Sequence, residues 1–320
     1  MSSLKKEDIR IVFMGTPEFA VTILDTLIQN DFNIVGVLTA PDKLAGRGRK
    51  IQQSAVKIYA VDKGLKVLQP TNLKDPLFIE QLKALNANLQ VVVAFRMLPK
   101  VVWDMPNYGT FNLHASLLPN YRGAAPINWA IINGEDETGV TTFFIDDKID
   151  TGEIILQNKV PITVNDNAGT LHDKLMHLGA QVVLQTILMI EKGTVTRTPQ
   201  TFSQQLKQAP KIHKETCRID WGSPLKQIYD FIRGMSPYPG AWTILQNNGA
   251  EIFLKTYKAS MELEDHKLEN GQVLCTKKEM KVAVKGGYIR LEEIQLPGKR
   301  RMETGDVLNG LKLMETAIML

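Results

Sequence analysis

The 320-residue sequence predicts an α/β protein in two parts, a Rossmann-like domain on a mostly parallel sheet and a small OB-like β-barrel. Three observations predict it. Strand and helix patterns alternate through roughly the first 190 residues, which calls for parallel strands joined by helical crossovers. From residue 241 onward the pattern changes to five short strands with Gly-containing turns, as in a small barrel. Between them, residues 193–212 are polar, contain Pro199 and Pro210, and show no periodicity. The chain is also long for one core. The expected division is a catalytic domain over 1–194, a linker over 195–212 and a C-terminal domain over 213–320.

Ile9 to Met14 reads as a buried strand closed by Gly15-Thr16-Pro17. Glu18 to Asn30 has helical spacing through Phe19, Val21, Leu24, Leu27 and Ile28, with Pro17 suited to a first turn. Asn33 to Thr39 is the next strand, completing a βαβ unit. The turn after the first strand lacks G-x-G-x-x-G, and Pro17 removes a donor that a pyrophosphate needs, so a nicotinamide enzyme is not expected. Residues 40–50 read as a loop in which Lys43, Arg47, Arg49 and Lys50 interleave with two glycines. At the carboxyl end of a parallel strand, such a loop is either a solvated surface or a phosphate contact. The alternation continues with helix 52–63, strand 66–68, helix 76–85, strand 89–95, strand 109–115, helix 124–132, strand 139–145 and strand 153–160. A helix follows to about residue 192, with Thr170 and Asp173 as its capping box and a stripe of Leu171, Leu175, Leu178, Val182, Leu184 and Leu188. Beyond the linker come a short helix over 223–234, the turn Ser236 to Gly240, and strands at 241–246, 250–258, 271–276, 280–285 and 287–295.

Hydrophobic residues at 44% and charged residues at 22% are ordinary for a folded protein and argue against disorder. Cys217 and Cys275 form no C-x-x-C spacing, so neither a disulfide framework nor a zinc site is expected. The N-terminus has no apolar core and no run approaches the ~20 residues of a membrane span, so a cytoplasmic protein with no membrane partner is expected. Residues 206–320 hold 18 of the 38 Lys and Arg against 14 of the 34 Asp and Glu, so the whole excess of positive charge falls there. A basic C-terminal module points weakly to a polyanionic partner.

The chemistry concentrates between Asn112 and Pro126. Residues two apart on a strand share a face, so the Asn112 amide and the His114 imidazole project together. A neutral donor beside a titratable ring at a strand end suits chemistry at a carbonyl group. His172 and His177 fall in an amphipathic helix and His266 in an acidic turn, where structural roles are expected. No H-x-x-x-H or H-x-H spacing supports a metal. A carboxylate from a neighbouring loop would orient His114, and Asp146, Asp147 and Asp150 compete for that place.

Asn112-x-His114 with Ser116 to Pro119, then Tyr121-Arg122-Gly123 and Pro126, and Asp150-Thr151-Gly152 at 36 residues from the histidine, resembles the folate-dependent formyltransferases. The resemblance extends to Gly15 to Phe19, to Pro41-Asp42 with Ala45 to Arg49, and to Ile219 to Trp221, Ile232 to Gly234 and Pro239 to Ala241. It implies a catalytic set of Asn112, His114 and Asp150. A folate pocket lined by Ser116, Leu117, Leu118, Pro119, Ala94, Phe95 and Met97 is implied too. The co-substrate implied is 10-formyltetrahydrofolate, with neither metal nor nicotinamide. The paired modules resemble the branch of that superfamily that acts on methionyl-initiator tRNA, implying tRNA contacts at Lys43, Arg47, Arg49, Lys50, Lys211, Lys299, Arg300 and Arg301. Lys43 stands where that branch commonly has arginine, keeping the charge without the bidentate fork. A monomer is expected. The alternatives are a formyltransferase acting on a sugar nucleotide or glycinamide ribonucleotide, and a catalytically silent RNA-binding protein.

Overall fold

The computed structural model describes residues 5–45, 50–201 and 205–320. In order, the elements are β1 (Arg10–Gly15), α1 (Glu18–Gln29), β2 (Asn33–Leu38), β3 (Lys43–Ala45), β4 (Lys50–Gln52), α2 (Ala55–Asp62), β5 (Val67–Leu68), α3 (Pro76–Lys83), β6 (Leu89–Val93), α4 (Lys100–Trp103), β7 (Thr110–His114), β8 (Arg122–Gly123), α5 (Pro126–Ile132), β9 (Glu137–Phe144), β10 (Ile154–Pro161) and α6 (Ala168–Glu191). After these come β11 (Gln208–Ala209), α7 (Leu225–Gly234), β12 (Ala241–Asn247), β13 (Ala250–Leu263), β14 (Val273–Cys275), β15 (Met280–Val284), β16 (Gly287–Gln295), β17 (Met302–Glu303), α8 (Thr304–Leu308) and β18 (Ile318–Met319). Two compact units result, one from Met1–Gly123, Thr138–Val160 and His172–Gln208, the other from Ala124–Glu137, Pro161–Leu171 and Ala209–Leu320.

The first unit is built on a sheet in the order β10-β9-β7-β6-β1-β2-β5. Strands β7, β6, β1, β2 and β5 pair in parallel and β9 pairs antiparallel with β7. Every residue of β6 is buried, as an interior parallel strand covered on both faces requires. The carboxyl ends of β1, β6 and β7 therefore lie side by side, the edge at which open α/β sheets bind ligands.

Three local expectations are corrected. Residues 40–50 are not simply a loop: Lys43–Ala45 pairs antiparallel with Lys50–Gln52. Strands of three residues are too short to carry a readable alternation. The stripe of α6 is formed by Leu171, Leu175, Val182, Val183, Ile187 and Ile190, whereas Leu178, Leu184 and Leu188 are only half-buried. Its capping box is one turn earlier: the Asn167 side chain accepts the Thr170 N–H at 2.9 Å and Thr170 Oγ1 accepts the Asn167 N–H at 3.0 Å.

In the second unit, β14, β15, β16, β13, β12 and β18 form an antiparallel sheet. A Gln272–Ile318 bridge brings its two edges together, giving a nearly closed barrel. Its core gathers Trp221, Ile228, Ile232, Leu254, Val282, Ile289 and Leu291. The Ile219 to Trp221 motif is fastened to β12, Ile219 N–H donating to Trp242 O (2.8 Å) and Trp221 Nε1 to Thr243 Oγ1 (2.9 Å). Gly234 lets α7 meet α5 closely, since a Cβ there would stand 3.1 Å from Asn128 O and 2.5 Å from Ile132.

Candidate active site

Strand β7 lies between β6 and β9, with Asn112 opposite Val92 on one side and Phe143 on the other. Past its end the chain turns back under a hydrogen-bonded scaffold. Ser116 Oγ donates to Asn120 O (2.7 Å), Thr141 Oγ1 to Ser116 O (2.7 Å), and Gln157 Nε2 to Leu118 O (2.8 Å). That turn brings Tyr121 O within 2.8 Å of His114 Nε2. A carbonyl oxygen only accepts, so Nε2 carries a proton and donates it to Tyr121. The ring nitrogen left for chemistry is Nδ1.

Nδ1 lies 3.8 Å from Asp150 Oδ2, with the two side chains 8% and 14% exposed. This exceeds a direct hydrogen bond and leaves the carboxylate facing the ring nitrogen. The same Oδ2 accepts the Gly123 N–H at 3.0 Å. Asp150 has φ +54°, and its carboxylate faces His114. Gly152 makes the turn possible, because a Cβ there would come within 1.7 Å of Phe144 O. The three candidate aspartates differ in what they face. Asp146 accepts from Thr151 Oγ1 and from the Lys148 N–H, closing its own loop, and Asp147 is exposed. Asp150 alone of the three faces the histidine.

Asn112 is half-buried, and its amide has no hydrogen-bonding partner among the described residues. Two further residues belong to the site although the sequence assigns them no role. Arg122 is buried, and its Nε (3.2 Å) and Nη2 both donate to Gln200 Oε1. Burial lowers the pKa of this guanidinium, an effect opposed by Asp150 and Asp146. Gln200 in turn donates through Nε2 to Asp150 O (3.0 Å) and Gly152 O (2.8 Å). Arg122 stands inside a motif that could have drawn notice. Gln200 is one of several glutamines in a polar stretch, and only burial singles it out.

Of the folate set, Ala94 follows the carboxyl end of β6 with φ +48° and is exposed. Phe95 packs against the core of Met14, Leu38 and Leu98, and Met97 is 65% exposed. Ser116 and Leu118 are buried, Leu117 and Pro119 half-buried, so the turn presents backbone and these latter two side chains. Of the tRNA set, Lys43, Lys211, Lys299, Arg300 and Arg301 are exposed. Arg301 is paired with Glu293 at 2.6 Å and lies over the Tyr257 ring. Arg47 and Arg49, and the Lys50 side chain, lie outside the described residues.

The sequence pattern of the family described as "Formyl transferase" matches residues 9–187, and that of "Formyl transferase, C-terminal domain" matches 211–312. The methionyl-tRNA formyltransferase of Flavobacterium johnsoniae is 58% identical over 311 residues, 97% of this chain and 99% of that one. Its namesake from Bacteroides fragilis is 54% identical over 317 residues, 98% of each chain. Among solved structures, HypX from Aquifex aeolicus in complex with tetrahydrofolic acid superposes with a TM-score of 0.63 at 18% identity. That match covers 94% of this chain and 47% of HypX, so this chain spans about half the HypX length. The sugar 3N-formyltransferase WlaRD matches with a TM-score of 0.62 at 22% identity over 91% of this chain and 99% of that one. Both share the fold. With both family patterns matched along nearly its whole length, the chain belongs to the formyl transferase family.

Proposed function

We propose that this protein transfers the formyl group of 10-formyltetrahydrofolate to the α-amino group of methionyl-initiator tRNA, as a cytoplasmic monomer. The observation that carries the reaction is His114 Nδ1 facing Asp150, two residues along the strand from an uncommitted Asn112 amide. The choice of acceptor is supported by relatives of that name at 54–58% identity over almost the full chain. The catalytic set comes from one chain, so no second copy is needed to complete it. In this reading residues 1–194, together with Gln200 behind Asp150, carry the chemistry, 213–320 help to hold tRNA, and the remainder of 195–212 joins them.

The amine nitrogen attacks the formyl carbon, and the carbonyl electron pair moves onto oxygen. Asn112 Nδ2 donates to that oxyanion, a contribution of about 3–4 kcal/mol for a well-placed donor. His114 Nδ1 accepts the proton leaving the amine, and Asp150 stabilises the imidazolium. Collapse breaks the bond to N10 of the folate, and the same nitrogen of His114 returns the proton to N10. The donor fits here in two respects. Ala94 and Met97 offer accessible surface beside β7, and the Asn112 amide lacks a protein partner among the described residues. A comparison of acceptors tests the proposal: initiator methionyl-tRNA, an amino sugar nucleotide and glycinamide ribonucleotide, each with 10-formyltetrahydrofolate. Turnover of a small amine without turnover of the tRNA would overturn it.

A further inference from the structure

We infer that Gln200 is a positioning residue for the transfer, holding Asp150 in the left-handed conformation that turns its carboxylate toward His114. The inference rests on the catalytic reading above. Asp150 has φ +54°, a strained region for a non-glycine residue that persists only where its surroundings enforce it. Gln200 supplies that enforcement from a segment distant in sequence. Its amide nitrogen donates to the main-chain oxygens of Asp150 and Gly152, one on each side of Thr151. Its amide oxygen accepts two N–H groups of the buried Arg122. Arg122 precedes Gly123, whose N–H holds the Asp150 carboxylate at its other end. One side chain, 6% exposed, thus closes a ring of contacts around the aspartate.

Described residues on either side of Gln200 in sequence are also tied to the site. Thr198 exchanges backbone hydrogen bonds with Ile154 (2.8 and 2.9 Å), and Lys207 O accepts the Tyr121 N–H. The Tyr121 carbonyl is the one that holds His114 Nε2. Gln200 and Lys207 therefore reach the two halves of the pair, Gln200 contacting Asp150 directly and Lys207 reaching His114 through Tyr121. Gln200 itself lies behind the aspartate and acts through it.

Gln200→Glu tests this. It keeps an acceptor for Arg122 and removes the two amide donors to the Asp150 loop. Turnover of the full chain should fall about 10- to 100-fold, since a misplacement of one ångström costs about that much. KM for tRNA and for 10-formyltetrahydrofolate should stay within about twofold. In an Asp150→Asn background the same change should cost nothing further, because two residues acting as one unit are not additive. A wild-type rate for Gln200→Glu, with Asp150→Asn impaired, overturns the positioning role and leaves the catalytic reading standing. Multiplying losses in the double variant also overturn it, since Gln200 would then act apart from Asp150. A near-normal Asp150→Asn enzyme removes the catalytic reading, and the inference with it. Should Gln200→Glu fail to fold, Gln200→Met, neutral and of similar length, enters the same cycle with the same expected outcomes.

Discussion

His114 Nε2 donates to the main-chain oxygen of Tyr121 at 2.8 Å, so the motif that carries the histidine also fixes which of its nitrogens is free. Nδ1 is the nitrogen that faces Asp150. Donation to the oxyanion and exchange of the amine proton cannot both fall to that one atom at the same moment. In the proposed reaction the oxyanion therefore falls to Asn112.

Asn112→Ala should lower kcat about 10²- to 10³-fold, the usual loss for one oxyanion donor. The thermal midpoint should move little, because the amide has no protein partner to lose among the described residues. Steady-state kinetics alongside thermal unfolding check both halves. A large loss of stability would reassign Asn112 to the fold.

His114→Ala should cost activity and stability together. Loss of a general base lowers turnover about 10²- to 10⁴-fold. The buried Tyr121 carbonyl also loses its donor, which costs about 1–3 kcal/mol. Denaturant unfolding measures the second effect independently of the first.

Gly152→Ala should be among the most disruptive small changes in the first unit. The added carbon would meet Phe144 O at 1.7 Å, so the Asp150 turn must shift. The expected cost is about 3 kcal/mol or more, with turnover reduced as well. Thermal unfolding and a formylation rate on the same preparation check it.

The basic residues should not contribute equally to tRNA binding. Lys299→Ala and Arg300→Ala each should weaken binding and reduce the salt slope by roughly one. Arg301 is held by Glu293, so Arg301→Ala should change the slope less. Binding measured across a series of salt concentrations distinguishes these cases.

The βαβ opening, the interior strand of Asn112 and His114, and the strands of the barrel were legible because each carries a periodic pattern several residues long. Spacing alone could not choose Asp150 over Asp146. The choice depends on a turn in which Thr151 occupies Asp146 and Gly152 passes close to Phe144 O. The Lys43–Ala45 and Lys50–Gln52 hairpin was missed because a strand of three residues offers too little alternation to read. Gln200 was missed for a different reason. A polar side chain in a polar stretch gives no sign that it will be buried, and its burial is set by partners about 50 and 78 residues away.

Single-turnover formyl transfer with Asp150→Asn shows whether His114 Nδ1 and Asp150 together move the amine proton. This variant keeps a side-chain oxygen for the Gly123 N–H and removes only the charge beside the ring. The rate should fall about 10²- to 10³-fold below that of the unaltered protein, with tRNA affinity unchanged. A rate close to normal would contradict it.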